Sequence, residues 1–176
     1  MRADIVFTLT GPDRVGIVEE VTGVLLGLDG NVETSRMARL GGAFAILALV
    51  ALPAERLADL EPAFGHLIAR GYKVTVSETA PTPAEAGARL PYRIEVTGAD
   101  HEGIIHEIAR IVSQRGINIE SVETGTSSAP VSGTPLFSMK AVVAVPRDLA
   151  GQDWKAELSE AARQANVDVT VSAVED

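Results

Sequence analysis

An internal repeat constrains the fold of this chain more than any other feature. The stretch Thr-Gly-Pro-Asp-Arg-Val-Gly-Ile begins at Thr10, and a changed copy, Thr-Gly-Ala-Asp-His-Glu-Gly-Ile, begins at Thr97. The two copies are therefore offset by 87 residues, and the same offset aligns Asn31 with Asn118. Apolar positions on either side of the motif coincide at this offset as well. The repeat predicts two units with one common fold.

The sequence of each half predicts six secondary-structure elements in the order β-α-β-β-α-β. Ile5, Phe7 and Leu9 alternate with other residues, which predicts a strand with one buried face. After the motif, apolar residues recur at helical spacing. The further elements of the first half are strands over 32–40, 43–52 and 72–77 and a helix over 57–68. This order predicts an α+β fold in which both helices cover one face of a four-stranded antiparallel sheet, a ferredoxin-like split βαβ arrangement.

The predicted domains are residues 1–79 and 90–176, joined by a linker over 80–89. The linker contains Pro81, Pro83 and several alanines and has no periodicity. The strand over 43–52 is apolar on both faces, whereas the helices can cover only one of them. The open face needs another sheet, a helix or a second chain, so we expect the two halves to pack together as a pseudo-dimer.

Composition excludes several classes of function. The chain has 24 acidic and 15 basic residues, a net charge of −9 and no basic cluster, which argues against direct nucleic-acid binding. It has no cysteine, and hence no disulfide, thiol nucleophile or thiolate metal site. The longest apolar run, over 41–53, is too short to span a membrane. No signal-peptide pattern opens the sequence, so we expect a cytoplasmic protein.

The repeated motif predicts a tight turn between a strand and a helix. Backbone N–H groups at a helix N-terminus lie at the positive end of the helix dipole and can hold the carboxylate of a small molecule. The same turn can equally be a simple crossover. Asp13 is expected to cap the helix. Gly16 is expected in the first helical turn, where its missing side chain would allow close approach to the backbone.

A duplicated β-α-β-β-α-β unit with Gly-x-Asp-x-x-Gly-Ile after its first strand resembles the ACT domain. In many families this regulatory module binds amino acids at the junction of two copies. The first half, with Asp13-Arg14-Val15-Gly16-Ile17-Val18 and then Asn31-x-Glu-x-Ser-Arg-x-x-x-Leu-Gly-x-x-Phe44, resembles the glycine cleavage system transcriptional repressor family. The resemblance implies ligand contacts at Gly11, Asp13, Val15, Gly16, Ile17 and Asn31, and at Gly98, Asp100, Gly103, Ile104 and Asn118.

The chain departs from the family pattern just before the last glycine of the motif. A proline is common there, whereas this sequence has Val15 and Glu102. Both residues regain an N–H that proline lacks, so backbone capture of a ligand survives the change. Glu102 adds negative charge beside a site for a carboxylate, and the second site is therefore expected to bind more weakly.

The sequence gives little support for a metal site, a catalytic site or a phosphate-binding site. His101 and His106 are five residues apart and do not share a helix face as i, i+4 metal ligands do. Glu19, Glu20 and Glu107 are expected on solvated helix faces. No nucleophile elbow or phosphate loop is present. We therefore expect no cofactor, no metal and no catalytic activity.

Two hypotheses of function remain. The first is a non-catalytic, amino-acid-sensing regulator of amino acid (glycine cleavage) metabolism or transcription. It would bind a small amino acid such as glycine or serine, form a homo-oligomer and act through a protein partner such as a transcription regulator. The alternative is an interaction or oligomerisation module with degenerate ligand sites. An enzyme that has kept only its regulatory half is a third reading, which no catalytic constellation supports.

Overall fold

The computed structural model describes residues 1–79, 89–129, 133–151 and 153–174. The chain divides into two compact units, Met1–Pro83 and Ala84–Asp176. The expected linker lies outside the described residues except for Arg89, which is the first residue of a strand. The exact domain limits and the packing of the two halves as a pseudo-dimer stay predictions.

Both units have the expected β-α-β-β-α-β order, which confirms the predicted α+β fold. The first unit consists of β1 (Arg2–Pro12), α1 (Ile17–Gly27), β2 (Asn31–Leu40), β3 (Ala43–Pro53), a 3₁₀ segment (Ala54–Asp59), α2 (Leu60–Ala63), α3 (Gly65–Ile68) and β4 (Lys73–Glu78). The second consists of β5 (Arg89–Ala99), α4 (Ile104–Gln114), β6 (Asn118–Ser128), β7 (Pro135–Pro146), α5 (Trp154–Gln164) and β8 (Val167–Ala173).

Each unit has one four-stranded sheet whose described strand pairs are all antiparallel. The strand orders are β2-β3-β1-β4 and β6-β7-β5-β8, so the first strand of each unit is central. Alternation along β1 places Ile5, Phe7 and Leu9 in the core, where none of them is exposed. Phe7 packs on Phe64 with ring centroids 4.9 Å apart, which fixes the second helical segment over the sheet.

The second helical segment of the first unit differs from the prediction. A single helix was expected over 57–68, whereas the chain forms a 3₁₀ segment followed by two four-residue helices. Pro62 explains why no α-helix forms before Leu60, because it has no N–H to donate to the carbonyl of Ala58, four residues back, and its ring crowds that carbonyl. The strand that follows begins at Lys73 instead of Tyr72, and Tyr72 is buried against the core.

No helix among the described residues is both long and apolar enough to cross a membrane.

Candidate functional site

The first turn covers residues 13–16, between β1 and α1. Gly16 immediately precedes the helix, and its φ of +85° lies in the left-handed region, which favours glycine. The N–H of Asp13 donates to the carbonyl of Gly42 (3.0 Å), which ties the turn to the β2–β3 hairpin. The turn is thus held by its backbone and by one glycine whose conformation few other residues adopt.

The prediction that Asp13 caps α1 is wrong. No side chain caps the helix, because the left-handed Gly16 precedes it and the helix begins only at Ile17, four residues beyond Asp13. The Asp13 carboxylate instead lies 3.8 Å from Nε of Arg39 on β2. Gly16 was expected in the first helical turn, but it lies immediately before the helix.

The first turn presents unused backbone donors. Within the described part of the chain, no hydrogen bond uses the N–H of Val15, Gly16 or Val18. The side chain of Val15 is fully exposed, whereas Ile17 is 2% exposed and belongs to the core. A ligand can therefore reach the backbone of this turn but cannot touch the Ile17 side chain. This arrangement suits a carboxylate, since several N–H groups and the positive end of the helix dipole coincide.

Arg14 anchors the first turn through its side chain. Its guanidinium pairs with Glu20 on α1 and lies 5.8 Å from the centre of the Tyr72 ring. Glu20 also accepts from Nε2 of His66 (3.0 Å) and Nη1 of Arg70 (3.4 Å). The hydrogen bond from Arg14, aided by these two neighbours, holds the pKa of the Glu20 carboxyl below its usual value.

The prediction that Glu20 lies on a solvated face is therefore wrong. Its carboxylate joins the first turn to the segment that leads into β4, and only about a quarter of its side chain is exposed. Sequence reasoning also missed Arg14 and Tyr72. The available signal was the opposite charge of Arg14 and Glu20 on the two sides of a helix start, but only the fold shows that the two side chains meet.

The second turn, residues 100–103, repeats the backbone of the first. Gly103 immediately precedes α4 with a φ of +95°, and the N–H of Asp100 donates to the carbonyl of Pro135 (3.0 Å). Among the described residues, the N–H groups of Glu102, Gly103 and Ile105 also have no hydrogen-bond acceptor. Ile104 is 3% exposed and packs in the core. The donor pattern of the second turn therefore matches that of the first except at Ile17, whose N–H donates to the carbonyl of Arg14 (3.5 Å).

His101 anchors the second turn. Its ring nitrogens lie 3.0 Å from the carbonyl oxygen of Glu102 and 2.6 Å from that of Ala165, the residue that ends α5. Both partners can only accept, so a protonated ring satisfies both contacts. These two contacts, together with the charge of Asp100, raise the pKa of His101 above its ordinary value.

A surface cleft of about 380 Å³ lies at the second turn. Its lining residues come from the turn, from the start of α4 and from β7, and are Asp100, His101, Glu102, Gly103, Ile104, Ile105, His106 and Phe137. A volume of this order is in the range of small-molecule sites. The acidic side chains at its rim still oppose a carboxylate, as the sequence indicated.

Neither asparagine reaches the turn of its own unit. Asn31 pairs with Ala51, which pairs with Asp4 near the beginning of β1, whereas the turn follows Pro12 at the other end of that strand. The eight intervening residues of an extended strand span about 26 Å. Asn118 pairs with Ala144 and is separated from the second turn in the same way. The structure therefore does not unite the predicted turn and asparagine within one repeat.

Gly11 and Gly98, near the ends of β1 and β5, allow neighbouring residues to pack closely against these strands. A Cβ on Gly11 would lie 2.4 Å from the ring of Tyr72, whose hydroxyl donates to the carbonyl of Pro12 (2.7 Å). A Cβ on Gly98 would lie 2.7 Å from a Val167 methyl group. Each glycine thus allows the last strand of its unit to approach the first, at the point where the turn begins.

No group of three or more histidine, aspartate or glutamate side chains that could hold a metal ion occurs in the described ranges.

Comparisons with known proteins agree with the repeat. One ACT domain model matches residues 3–67 and another matches residues 92–155. A protein of unknown function from Galdieria sulphuraria is 32% identical, with a TM-score of 0.83, and the match covers 99% of this chain and 100% of that one. A protein proposed to be a glycine cleavage system transcriptional repressor is 19% identical with a TM-score of 0.72, over 100% of this chain and 99% of that one. No curated protein matches the sequence.

Proposed function

The chain belongs to the ACT domain family, with two ACT domains in tandem, and from this premise we propose that it is a non-catalytic regulatory protein that binds a small amino acid. The observation that carries the proposal is the pair of turns in which a left-handed glycine opens a helix beside unused N–H groups. Two independent copies of this arrangement, kept while much of the surrounding sequence diverged, favour a ligand site over a simple crossover.

The carboxylate of the ligand is proposed to bind the N–H groups of Val15, Gly16 and Val18. Helix N-termini bind anions in this way because the backbone supplies both donors and a favourable dipole. A small ligand such as glycine or serine fits a site that consists mostly of backbone. Electrostatic repulsion by Glu102 makes the second turn the weaker of the two.

The amino group of the ligand is proposed to meet Asn31 from the first unit of a second copy of this chain. Asn31 is exposed and begins β2, which is an edge strand of its sheet. When the edges of two such units run antiparallel, the start of one β2 lies at the turn end of the other unit. An asparagine amide both donates and accepts, which suits a zwitterion. The separation of Asn31 from its own turn is the reason for this two-unit site.

The regulatory output is proposed to pass through a protein partner in the cytoplasm, such as a transcription regulator of glycine cleavage or other amino acid metabolism. The proposed repressor shares the fold of this chain at 19% identity. That likeness of fold is the reason for naming this target. Direct binding to DNA is not expected, because a chain of net charge −9 has no basic cluster to neutralise phosphates.

A thermal-shift screen of the twenty amino acids tests the proposal. A ligand at 100 times its dissociation constant adds roughly 2.7 kcal/mol to the free energy of unfolding. For a chain of this size the melting temperature should rise by about 5–10 °C. Asn31→Ala should reduce this rise, whereas Thr34→Ala, three residues further along the same strand, should keep it.

Two results would reject the amino-acid site. One is that no amino acid at millimolar concentration moves the melting temperature, and the other is that Asn31→Ala responds as strongly as the wild type. In either case the interaction module with degenerate sites becomes the better account. Asn118→Ala should have a smaller effect than Asn31→Ala, because the second turn binds more weakly.

A further inference from the structure

The sheet of the first unit has an apolar face that its helices do not cover. We call this the open face and define it by Val6 on β1 and by Ala45, Leu47 and Leu49 on β3. These residues alternate with core residues such as Phe7 and Ala48, so they point away from the helices. Leu47 is 49% exposed, and Val6 and Leu49 are partly exposed.

Of the four equivalent positions of the second unit, two are charged, and the other two are Ser138 and Val142. The internal repeat aligns Val6 with Arg93 and Leu47 with Lys140. Lys140 lies across from Glu95 on the neighbouring strand, with its Nζ 3.7 Å from the Glu95 carboxylate. Two units of one fold thus differ most clearly on this face. The charged version needs no cover, whereas the apolar version exposes side chains that are stabilised when they leave water.

We propose that a second copy of this chain, and not the other half of the same chain as the sequence predicted, covers the open face of the first unit. Charge selects this face for self-association, since two molecules of net charge −9 repel each other over most of their surface. The charged residues that the strand pairs place on this side of the sheet are Arg2, Asp4, Arg36 and Lys73, one acid and three bases, so the acidic excess of the chain lies elsewhere. The face is therefore one place where two acidic molecules can approach without repulsion.

The strand register makes the face complementary to itself. Asp4 pairs with Ala51, and Lys73 pairs with Thr10, so the acid and the base lie at opposite ends of the face. A two-fold axis that crosses the strands at the level of Phe7 and Ala48 exchanges these ends. It places Leu47 of one copy over Leu49 of the other and brings each Asp4 to the level of the other Lys73. Stacked sheets about 10 Å apart pack in this way.

Thiol cross-linking tests the interface, because the natural sequence contains no cysteine. Leu47→Cys and Lys140→Cys place one thiol at the same position of the two units. With a short bismaleimide and no added amino acid, Leu47→Cys should yield a covalent dimer at least ten times faster than Lys140→Cys. Equal rates for the two variants would overturn the proposal. Leaving out amino acids separates this result from the ligand site proposed above.

Charge exchange between the units provides the second test. Sedimentation of the wild-type protein at micromolar concentration should give the mass of two chains. Leu47→Lys, which copies the second unit, should give the mass of one chain, while Lys140→Leu keeps that of two. A single-chain mass for the wild type, or a dimer that survives Leu47→Lys, contradicts the proposal. If Leu47→Lys does not fold, the cross-linking rates alone decide.

Discussion

The first and second turns share a backbone, but different side chains fix them to their units. In the first, Arg14 reaches Glu20 and the Tyr72 ring. In the second, His101 occupies the position of Arg14 and contacts two backbone carbonyls instead. Glu107, which corresponds to Glu20, pairs with Arg110 on its own helix and contributes nothing to the second turn.

This comparison separates the parts of the repeat that the two units share from the parts in which they differ. The glycines at 16 and 103 and the hydrogen bonds from Asp13 and Asp100 to the neighbouring hairpin are the same in both units. They set the path of the chain and the direction of the free N–H groups. The anchoring side chains could diverge because a cation, or a side chain that donates two hydrogen bonds, can hold the turn from that position. An arginine keeps its charge at every physiological pH, whereas a histidine does not.

The largest effect is expected where a methyl group is added to Gly11 or Gly98. Gly11→Ala forces the Tyr72 ring away, and Gly98→Ala meets backbone atoms of Val167 and Asn166, 2.8 and 2.9 Å from the new Cβ. Overpacking of this kind costs about 1–3 kcal/mol. Because backbone yields less readily than a side chain, Gly98→Ala should lower the free energy of unfolding more. Urea unfolding of the two variants measures the difference, and equal losses would contradict this account.

A somewhat smaller loss is expected at the glycines that open α1 and α4. Gly16→Ala and Gly103→Ala place a Cβ in open space, so the cost of about 1–2 kcal/mol comes from the left-handed backbone alone. Gly23→Ala is the matched control, because Gly23 lies in α1 with open space and no positive φ. That variant should gain about 0.5–1 kcal/mol. Stabilisation of both Gly16→Ala and Gly23→Ala in thermal unfolding would exclude a strained turn.

The ion pair of the first turn predicts unequal effects of one substitution at equivalent positions. Glu20→Gln removes the partner of Arg14, His66 and Arg70, so it should lower the melting temperature of the first unit. Glu107→Gln breaks only an i, i+3 pair on the surface of a helix, and such pairs contribute little. Thermal unfolding at low salt compares the two variants. A larger loss for Glu107→Gln would mean that the network does not hold the turn.

The smallest effect is a pH dependence confined to the second turn. The pKa of His101 is raised on folding, so protonated His101 stabilises the native state fully below the unfolded-state value of about 6.5. That contribution is lost as the pH rises through the folded-state pKa. The difference in the free energy of unfolding between wild type and His101→Gln should therefore be larger at about pH 5.5 than at about pH 8. Urea midpoints across this range provide the measurement, and a constant difference contradicts the assignment.

Most of the fold could be predicted from the spacing of apolar residues, because both halves of the repeat show the same order of strands and helices. The strands predicted over 32–40 and 43–52 agree with β2 and β3 to within one residue at each end. Two kinds of feature did not follow from it. Pro62 broke a helix whose apolar spacing looked continuous, and Asp13 lost its capping role to a glycine conformation that the sequence does not specify. The Arg14–Glu20 pair and the separation of Asn31 from its turn depend on which elements meet, which only three-dimensional structure defines.

The direct test of the account is a titration of the protein with glycine and with serine, followed by the backbone amide resonances of its NMR spectrum. If the turn binds the carboxylate, the amide signals of Val15, Gly16 and Val18 shift together and saturate with one dissociation constant. The equivalent signals of Glu102, Gly103 and Ile105 should shift only at higher concentration. Amide signals of both turns that stay in place at millimolar amino acid would contradict the central claim.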